Sequence, residues 1–396
     1  MSLYRPHKKG APRSGYRGTV AARERDFTAP TVQLLTPAGE LRPTPEAEPY
    51  LPLVEALPDT MLEQFYRDMA ISRRIDIAGA NLQRQGQLAL WVPSHGQEAA
   101  QVGSARAARP QDHIFPSYRE HIVGMIRGLD PVNILSLLRG ATLGGWNPAE
   151  NGNFHLYTLV LASQTLHATG YAMGIQFDGL VGTGDPEADA AVLVYYGDGA
   201  TSQGDASEAL VFASSYQTPQ VFFIQNNQWA ISVPVARQSR SPLSLRGGGF
   251  GMPGVRIDGN DVLVSYAVTR QSLEEARAGA GPSLIEALTY RMGAHTTADD
   301  PTKYRTDAEV AYWSERDPIT RYRAWLEGRG ASAAFFDEVD REAADVAADL
   351  RRRALSLTAP TREKIFAHVY SEPHPLMVEE HAWLQSYEAG FEEGTA

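Results

Sequence analysis

From Ala190 to Tyr196 the chain is apolar at every position, the pattern of a parallel strand whose two faces are both covered. The run stops on Gly197-Asp198-Gly199. From Asp205 to Tyr216 the spacing turns helical, with Leu210, Phe212 and Ala213 among polar positions, and Pro219 to Ile224 restarts an apolar run that stops on Asn226-Asn227. This unit is predicted as β-α-β. Val255-Arg256-Ile257, Asp261 to Arg277 and Ser283 to Tyr290 repeat strand, helix and strand, which continues a parallel sheet. Upstream, Asp59 is the expected N-cap of a helix whose Leu62, Phe65, Tyr66 and Met69 share one face before Gly86. Gly96 to Ala108 and Glu120 to Arg127 are read as further helices, Gly140 to Gly152 as a glycine-rich loop. After Pro301 the chain reads as helical to about Arg353, with Trp313, Tyr322, Trp325 and Leu326 as packing residues. The expectation is an α/β fold, a parallel sheet with helices on both faces, in one domain over 51–396 with a helical C-terminal region.

Residues 1–50 break this pattern. Arg5, Lys8, Lys9, Arg13, Arg17 and Arg23 precede the first acidic residue, Glu24, and the stretch from Pro30 to Pro52 is proline-rich without apolar periodicity. It is read as a flexible or extended arm, mobile or packed on a partner chain. A transit peptide shares the basic composition, but Pro6, Gly10, Pro12, Gly15 and Gly18 interrupt the amphipathic helix it needs. Over 396 residues the 43% hydrophobic and 21% charged content is that of an ordinary globular chain, and a net charge of -11 argues against a general nucleic-acid binder. No run reaches membrane-spanning length. With 0 cysteines, disulfides, thiol nucleophiles and thiolate metal sites are all excluded, which suits a reducing cytoplasm.

The chemistry lies where the two strands stop. Loops that follow neighbouring parallel strands emerge at the same edge of the sheet, so Asp198 and Asn227 can face one point. Magnesium takes compact oxygen ligands, often one or two protein groups plus phosphate oxygens, and the glycines let backbone approach a diphosphate. Each dipeptide taken alone is also an ordinary turn former.

The Gly197-Asp198-Gly199 to Asn226-Asn227 pattern resembles the thiamine diphosphate motif. Together with Phe115-Pro116-Ser117-Tyr118-Arg119-Glu120, Gly199-Ala200-Thr201-Ser202, Asn226 to Ser232, Asp258-Gly259-Asn260-Asp261 and Tyr290 to His295, it makes the chain similar to the alpha subunit of the thiamine diphosphate-dependent decarboxylating component of 2-oxo acid dehydrogenase complexes. The resemblance runs from about Asp59 to Tyr370. Asn226-Asn227-Gln228-Trp229 and the loop from His295 to Arg305 look most like the bacterial branched-chain 2-oxo acid dehydrogenase, with pyruvate and acetoin dehydrogenases as the alternatives.

That resemblance implies the thiamine diphosphate-binding fold and a set of roles. Asp198 and Asn227 would ligate Mg2+ through side chains and Trp229 through its carbonyl. Gly199 and Ala200 would offer N–H groups to the diphosphate, with Arg119, Tyr118 and His295 completing the anion site and His295 also serving acyl transfer. Ser163 would lie near the aminopyrimidine ring, and Leu90, Tyr118 and Thr165 would line the substrate cavity, where Leu90 and Thr165 depart from the commoner Phe and Leu. Arg291 and Arg305 are expected as ion-pair partners, with Asp299 or Asp300, ordering the histidine loop. Ala162, Gln164, His167 and Ala168 offer few hydroxyls for a potassium ion, and Gln225 stands where animal members carry an arginine. Thr296 and Thr306 fall where mitochondrial relatives carry phosphorylatable serines.

No glutamate here matches the one that activates the cofactor, which the family carries on a beta subunit. The resemblance therefore implies two alpha and two beta chains, a 2-oxo acid substrate, and the lipoyl domain of a dihydrolipoyl acyltransferase as acceptor, in the bacterial cytoplasm rather than the mitochondrial matrix. A single-chain thiamine enzyme would need a second α/β domain. Gly249-Phe250-Gly251-Met252-Pro253-Gly254 fits a dinucleotide fingerprint formally, but no strand precedes it and Pro253 sits where the helix should begin.

Overall fold

The computed structural model describes residues 30–142 and 144–392. In chain order its main elements are α1 (Asp59–Arg84), α2 (Glu98–Ala107), β1 (His113–Phe115), α3 (Ser163–Phe177), β2 (Val192–Gly197), α4 (Gly204–Tyr216), β3 (Gln220–Asn226), β4 (Trp229–Ala230), β5 (Val233–Pro234), β6 (Gly254–Asp258), α5 (Val262–Arg277) and β7 (Ser283–Leu288). The helices α6 (Asp307–Ser314), α7 (Pro318–Gly328), α8 (Ala333–Leu355) and α9 (Pro375–Glu392) follow. A five-stranded sheet runs β1-β2-β3-β7-β6, parallel at every pairing, and β4 and β5 form a small antiparallel hairpin beside it.

The unbroken apolar runs follow from this arrangement. Leu193, Tyr195, Val221, Phe223 and Ile285 point into the core on one face, under α2 and α5, and Val192, Val194, Tyr196, Phe222 and Ile224 point into the other, under α3 and α4. Side chains still alternate with a period of two, but both faces are dry, so hydropathy along the strand does not alternate. The β-α-β unit, the second strand-helix-strand unit and the first helix stand where their patterns predict. Pro58, not Asp59, is the N-cap of α1, and Asp59 lies in its first turn, where a carboxylate suits the positive end of the helix dipole. The region after Pro301 divides into separate helices, because the side chains of Thr306, Asp317 and Ser332 each cap a new start. Strand β1 and helix α3 are not foreshadowed by the sequence pattern.

The described part of the proline-rich stretch lies against this same chain. Val32 is a parallel bridge partner of Ile257 at the edge of β6, with its N–H on the Arg256 carbonyl at 2.8 Å and its carbonyl taking the Asp258 N–H at 3.0 Å. Leu34 and Leu35 are 0% exposed, and both their N–H groups donate to Oδ2 of Asp261, at 2.8 and 2.7 Å. The other oxygen of Asp261 caps α5 through the N–H groups of Leu263 and Val264. Prolines had masked a short apolar triplet whose partner is a buried carboxylate distant in sequence. The basic residues Arg5 to Arg23 lie outside the described residues.

One buried carboxylate thus serves four N–H donors and faces Arg321, 3.9 Å away. Removing it leaves four N–H donors without that acceptor and takes one of two carboxylates from beside the buried guanidinium of Arg321, which keeps Asp258. We expect Asp261→Ala to cost about 3–5 kcal/mol, read as a lowered urea midpoint, and to speed proteolysis between residues 30 and 50.

Candidate active site

The register of β2 on β3 pairs Gly197 with Gln225, so both strands end at one level of the sheet. Asp198 and Asn227 leave from there, 1% and 6% exposed, and both line one cavity of about 600 Å³. Its wall also contains Gln97, Tyr118, Arg119, Gly197, Gly199, Ala200, Trp229 and His295. Gly199 needs its missing side chain, because a Cβ there would lie 2.6 Å from Cβ of Ala230. It opens the 3-10 turn Gly199–Ser202, and the first N–H groups of such a turn have no internal acceptor.

Asp198 is a buried carboxylate without a cation of its own. Desolvation raises its pKa to about 6, opposed by N–H donors, among them the Asn227 backbone, by Gln238 and by the field of Arg291. Gln238 Nε2 donates to Oδ2 at 3.2 Å. No cluster of three or more His, Cys, Asp or Glu suited to a metal occurs among the described residues. The oxygens available to a cation here are therefore the Asp198 carboxylate, the Asn227 amide oxygen and main-chain carbonyls. The carbonyl of Trp229 accepts from Arg291 Nη1 at 3.1 Å.

Two guanidiniums are held at the cavity without carboxylate partners. Arg119, 6% exposed, donates to the carbonyl of Pro93, and its Nη2 reaches the carbonyl of His295 at 3.1 Å and Nδ1 of His295 at 3.2 Å. Arg291, 0% exposed, donates to the carbonyls of Trp229 and Ile231 and, at 2.7 Å, to the hydroxyl of Tyr304. Burial lowers the Arg291 pKa, and Arg119 lowers it further. Arg119 lines the cavity, and a buried cation without a carboxylate partner there is complementary to an anion.

The same contact fixes the state of His295. Burial first, then Arg119 and Arg291, lower its pKa to about 4. Because a guanidinium can only donate, Nδ1 is the acceptor, and the neutral ring carries its proton on Nε2. Asp299 takes the His295 N–H at 2.8 Å and the hydroxyl proton of Tyr304. The expected pairing of Arg291 and Arg305 with Asp299 or Asp300 is corrected here. Arg305 bonds the main-chain carbonyls of Arg291 and Met292, and Arg291 bonds carbonyls of the β4–β5 hairpin and reaches the loop through the Tyr304 hydroxyl.

Three predicted residues are not in the cavity wall. Thr165 is buried and donates to the carbonyl of Ala162 at 2.6 Å, and Ser163 donates to that of Val160 at 3.0 Å, so α3 consumes both hydroxyls at its own start. Leu90 is half-buried beside Trp91, which is tied through its backbone to Thr297. Leu161, just before α3, lines the cavity instead. Sequence reasoning also missed Gln97, Glu120 and Gln238. Glu120 is 2% exposed, its pKa raised to about 6 by burial, and it accepts from Ser117 N–H at 2.6 Å and from Gln225. Gln225 in turn accepts from Gln101 at 3.1 Å, a neutral network where an arginine was noted as missing. The hairpin β4–β5 forms the outer wall, and its tip residue Ile231 is left-handed at φ 51, an uncommon state for a β-branched residue.

Comparison with known proteins agrees with this architecture. The family model for the dehydrogenase E1 component matches residues 66–354. The 3-methyl-2-oxobutanoate dehydrogenase subunit alpha of Mycobacterium tuberculosis is 44% identical over 346 residues, 87% of this chain and 90% of that one. The pyruvate dehydrogenase E1 component subunit alpha of Acholeplasma laidlawii is 36% identical over 338 residues, 84% of this chain and 95% of that one. Its counterpart from Staphylococcus epidermidis is 38% identical over 280 residues, 70% of this chain and 73% of that one. A match across the sheet, both sets of covering helices and the cavity means that the chain belongs to the dehydrogenase E1 component family.

Proposed function

We propose that this chain is the alpha subunit of a branched-chain 2-oxo acid dehydrogenase, which decarboxylates a 2-oxo acid with thiamine diphosphate and Mg2+ and passes the acyl group to a lipoyl group on an acyltransferase core. It would act with a beta subunit, in two copies of each chain, in the bacterial cytoplasm. The observation that carries this reading is the convergence of Asp198 and Asn227 at the ends of adjacent parallel strands on one cavity. The greater identity to the 3-methyl-2-oxobutanoate enzyme than to pyruvate enzymes supports the branched-chain substrate. Among the described residues no helix is long and apolar enough to cross a membrane.

The donor set fits the group. The diphosphate would meet Arg119, the Tyr118 hydroxyl and the N–H groups of Gly199 and Ala200, while Asp198, Asn227 and the Trp229 carbonyl would hold the ion. Bound, thiamine diphosphate supplies the electron sink into which the bond to the departing carbon dioxide breaks. The chain's own part is to bind, orient and exclude water. Burial raises the Tyr118 pKa, so that hydroxyl stays protonated and donates. His295 lines the cavity with its Nδ1 taken by Arg119, so its Nε2–H is the donor it has left, and while neutral it does not compete with the guanidiniums as a charge. Of the two carboxylates in the described wall, Asp198 would hold the ion and Glu120 is bonded to Ser117 and Gln225, so neither is left as an isolated acid for the cofactor's ring. That function is left to the beta chain.

Co-purified with its beta partner, the chain should release carbon dioxide from 3-methyl-2-oxobutanoate and 4-methyl-2-oxopentanoate with kcat/KM roughly tenfold or more above that for pyruvate. Preference for pyruvate would reassign the substrate, and brisk turnover by the isolated chain would overturn the shared site. Asp198→Ala should abolish magnesium-dependent cofactor binding in calorimetry while the melting transition stays cooperative. For His295 the sign follows from a folded pKa of about 4 against an ordinary 6.5. The ring is neutral at pH 7, and the stability tied to its neutrality is lost as pH falls from 6.5 towards 4. In the cofactor-free assembly its imidazole resonance should not titrate between pH 5 and 8, and a midpoint near 6.5 would contradict the geometry.

A further inference from the structure

An amide can bind a cation only with its oxygen side, and nothing in the covalent structure of Asn227 decides which side it shows. We propose that Gln97 is the positioning residue that, opposite the backbone N–H of Trp229, holds Asn227 in one of these two orientations, a role that rests on the function proposed above. Asn227 Nδ2 donates to Gln97 Oε1 at 3.1 Å, between two residues far apart in sequence. On its other side Asn227 Oδ1 accepts the backbone N–H of Trp229 at 3.3 Å. A main-chain N–H cannot reverse its polarity. It therefore assigns the oxygen of Asn227 to the Trp229 side, the NH2 to the Gln97 side, and the oxygen of Gln97 to the contact between them.

The remaining half of Gln97 agrees with this. Its Nε2 is buried and has no hydrogen-bond partner, although an unpaired buried donor is costly. The residue is held for its oxygen. Its mount is rigid as well. Gln97 is 0% exposed at the N-cap of α2, and its N–H bonds the Ser94 carbonyl at 2.9 Å. Gly96, at φ +95, sits where a Cβ would lie 2.3 Å from the Tyr290 carbonyl, and its own carbonyl accepts from Thr289 Oγ1 at 2.8 Å. Because β7 and the start of α2 clamp this position, the acceptor cannot follow Asn227 if the amide turns over. Without that acceptor only the 3.3 Å bond from the Trp229 N–H holds the amide, and the NH2 group swings more readily towards the cation and repels it.

The test titrates magnesium chloride into the full chain co-purified with its beta partner, at fixed thiamine diphosphate, and follows tryptophan fluorescence. Gln97→Met keeps the length of the side chain and removes the acceptor. Gln97→Glu keeps an oxygen at the same place. We expect Gln97→Met to weaken magnesium about 10-fold to 100-fold, with the melting curve of the cofactor-free assembly unchanged, and Gln97→Glu to bind magnesium at least as tightly as the wild type. Wild-type affinity in Gln97→Met overturns the inference, and so does a loss in Gln97→Glu, which remains decisive if Gln97→Met fails to fold. A wild type that shows no magnesium-dependent response overturns the proposed function and this role with it. Binding by the wild type that Gln97→Met leaves untouched overturns the role alone.

Discussion

The hydrogen-bond register between two parallel strands is the constraint from which the rest of this site follows. Because Gly197 pairs with Gln225, Asp198 and Asn227 are delivered at one level, each on a turn that begins where the ladder ends. A shift of one residue would send every side chain of β2 to the opposite face. Tyr195 and Tyr196 would exchange cores, one packed beneath α2 and α5 and the other beneath α3 and α4. The dry cores on both faces thereby hold the geometry of two polar residues that belong to neither.

Around that pair the chain keeps its charges separate. The floor carries neutral amides, Gln97, Gln101 and Gln225, bonded to one another's surroundings, while the positive groups Arg119 and Arg291 stand to one side and spend their donors on carbonyls. A guanidinium satisfied by carbonyls retains its full charge, whereas one paired with a carboxylate would be neutralised. The cavity therefore offers positive potential to a visiting anion through Arg119, which lines it. His295, kept neutral beside Arg119, adds a donor without adding to the repulsion.

Much of this was legible in the residues. Fully apolar runs identify strands buried on both faces, and the short polar signatures on which they stop identify the edge where chemistry can occur. Asp198, Asn227, Arg119, Tyr118 and His295 were found because their types carry chemistry and stand in recognisable words. Ser163 was expected near the aminopyrimidine ring and Thr165 in the substrate cavity, and the capture of their hydroxyls by the carbonyls of Val160 and Ala162 is a local backbone event with no side-chain signature. Gln97 and Glu120 stayed hidden for another reason: their side-chain partners, Asn227 and Gln225, lie more than a hundred positions away, and an isolated glutamine or glutamate carries no spacing to read. The triplet Val32, Leu34, Leu35 was obscured by the prolines around it, although its alternate positions suit an edge strand. Proline lacks the N–H a ladder needs, and Val32 supplies the bond at the one position where β6 requires it.

Arg291 has a further mechanical meaning. Its guanidinium pins the carbonyls of Trp229 and the left-handed Ile231 on one wall and the Tyr304 hydroxyl on the other, and Tyr304 in turn holds Asp299, which grips the backbone of His295. The hairpin and the histidine loop are thus a single yoke slung across the mouth of the cleft. The two arms are therefore joined to each other by side-chain hydrogen bonds through one buried guanidinium, and not only through the sheet beneath.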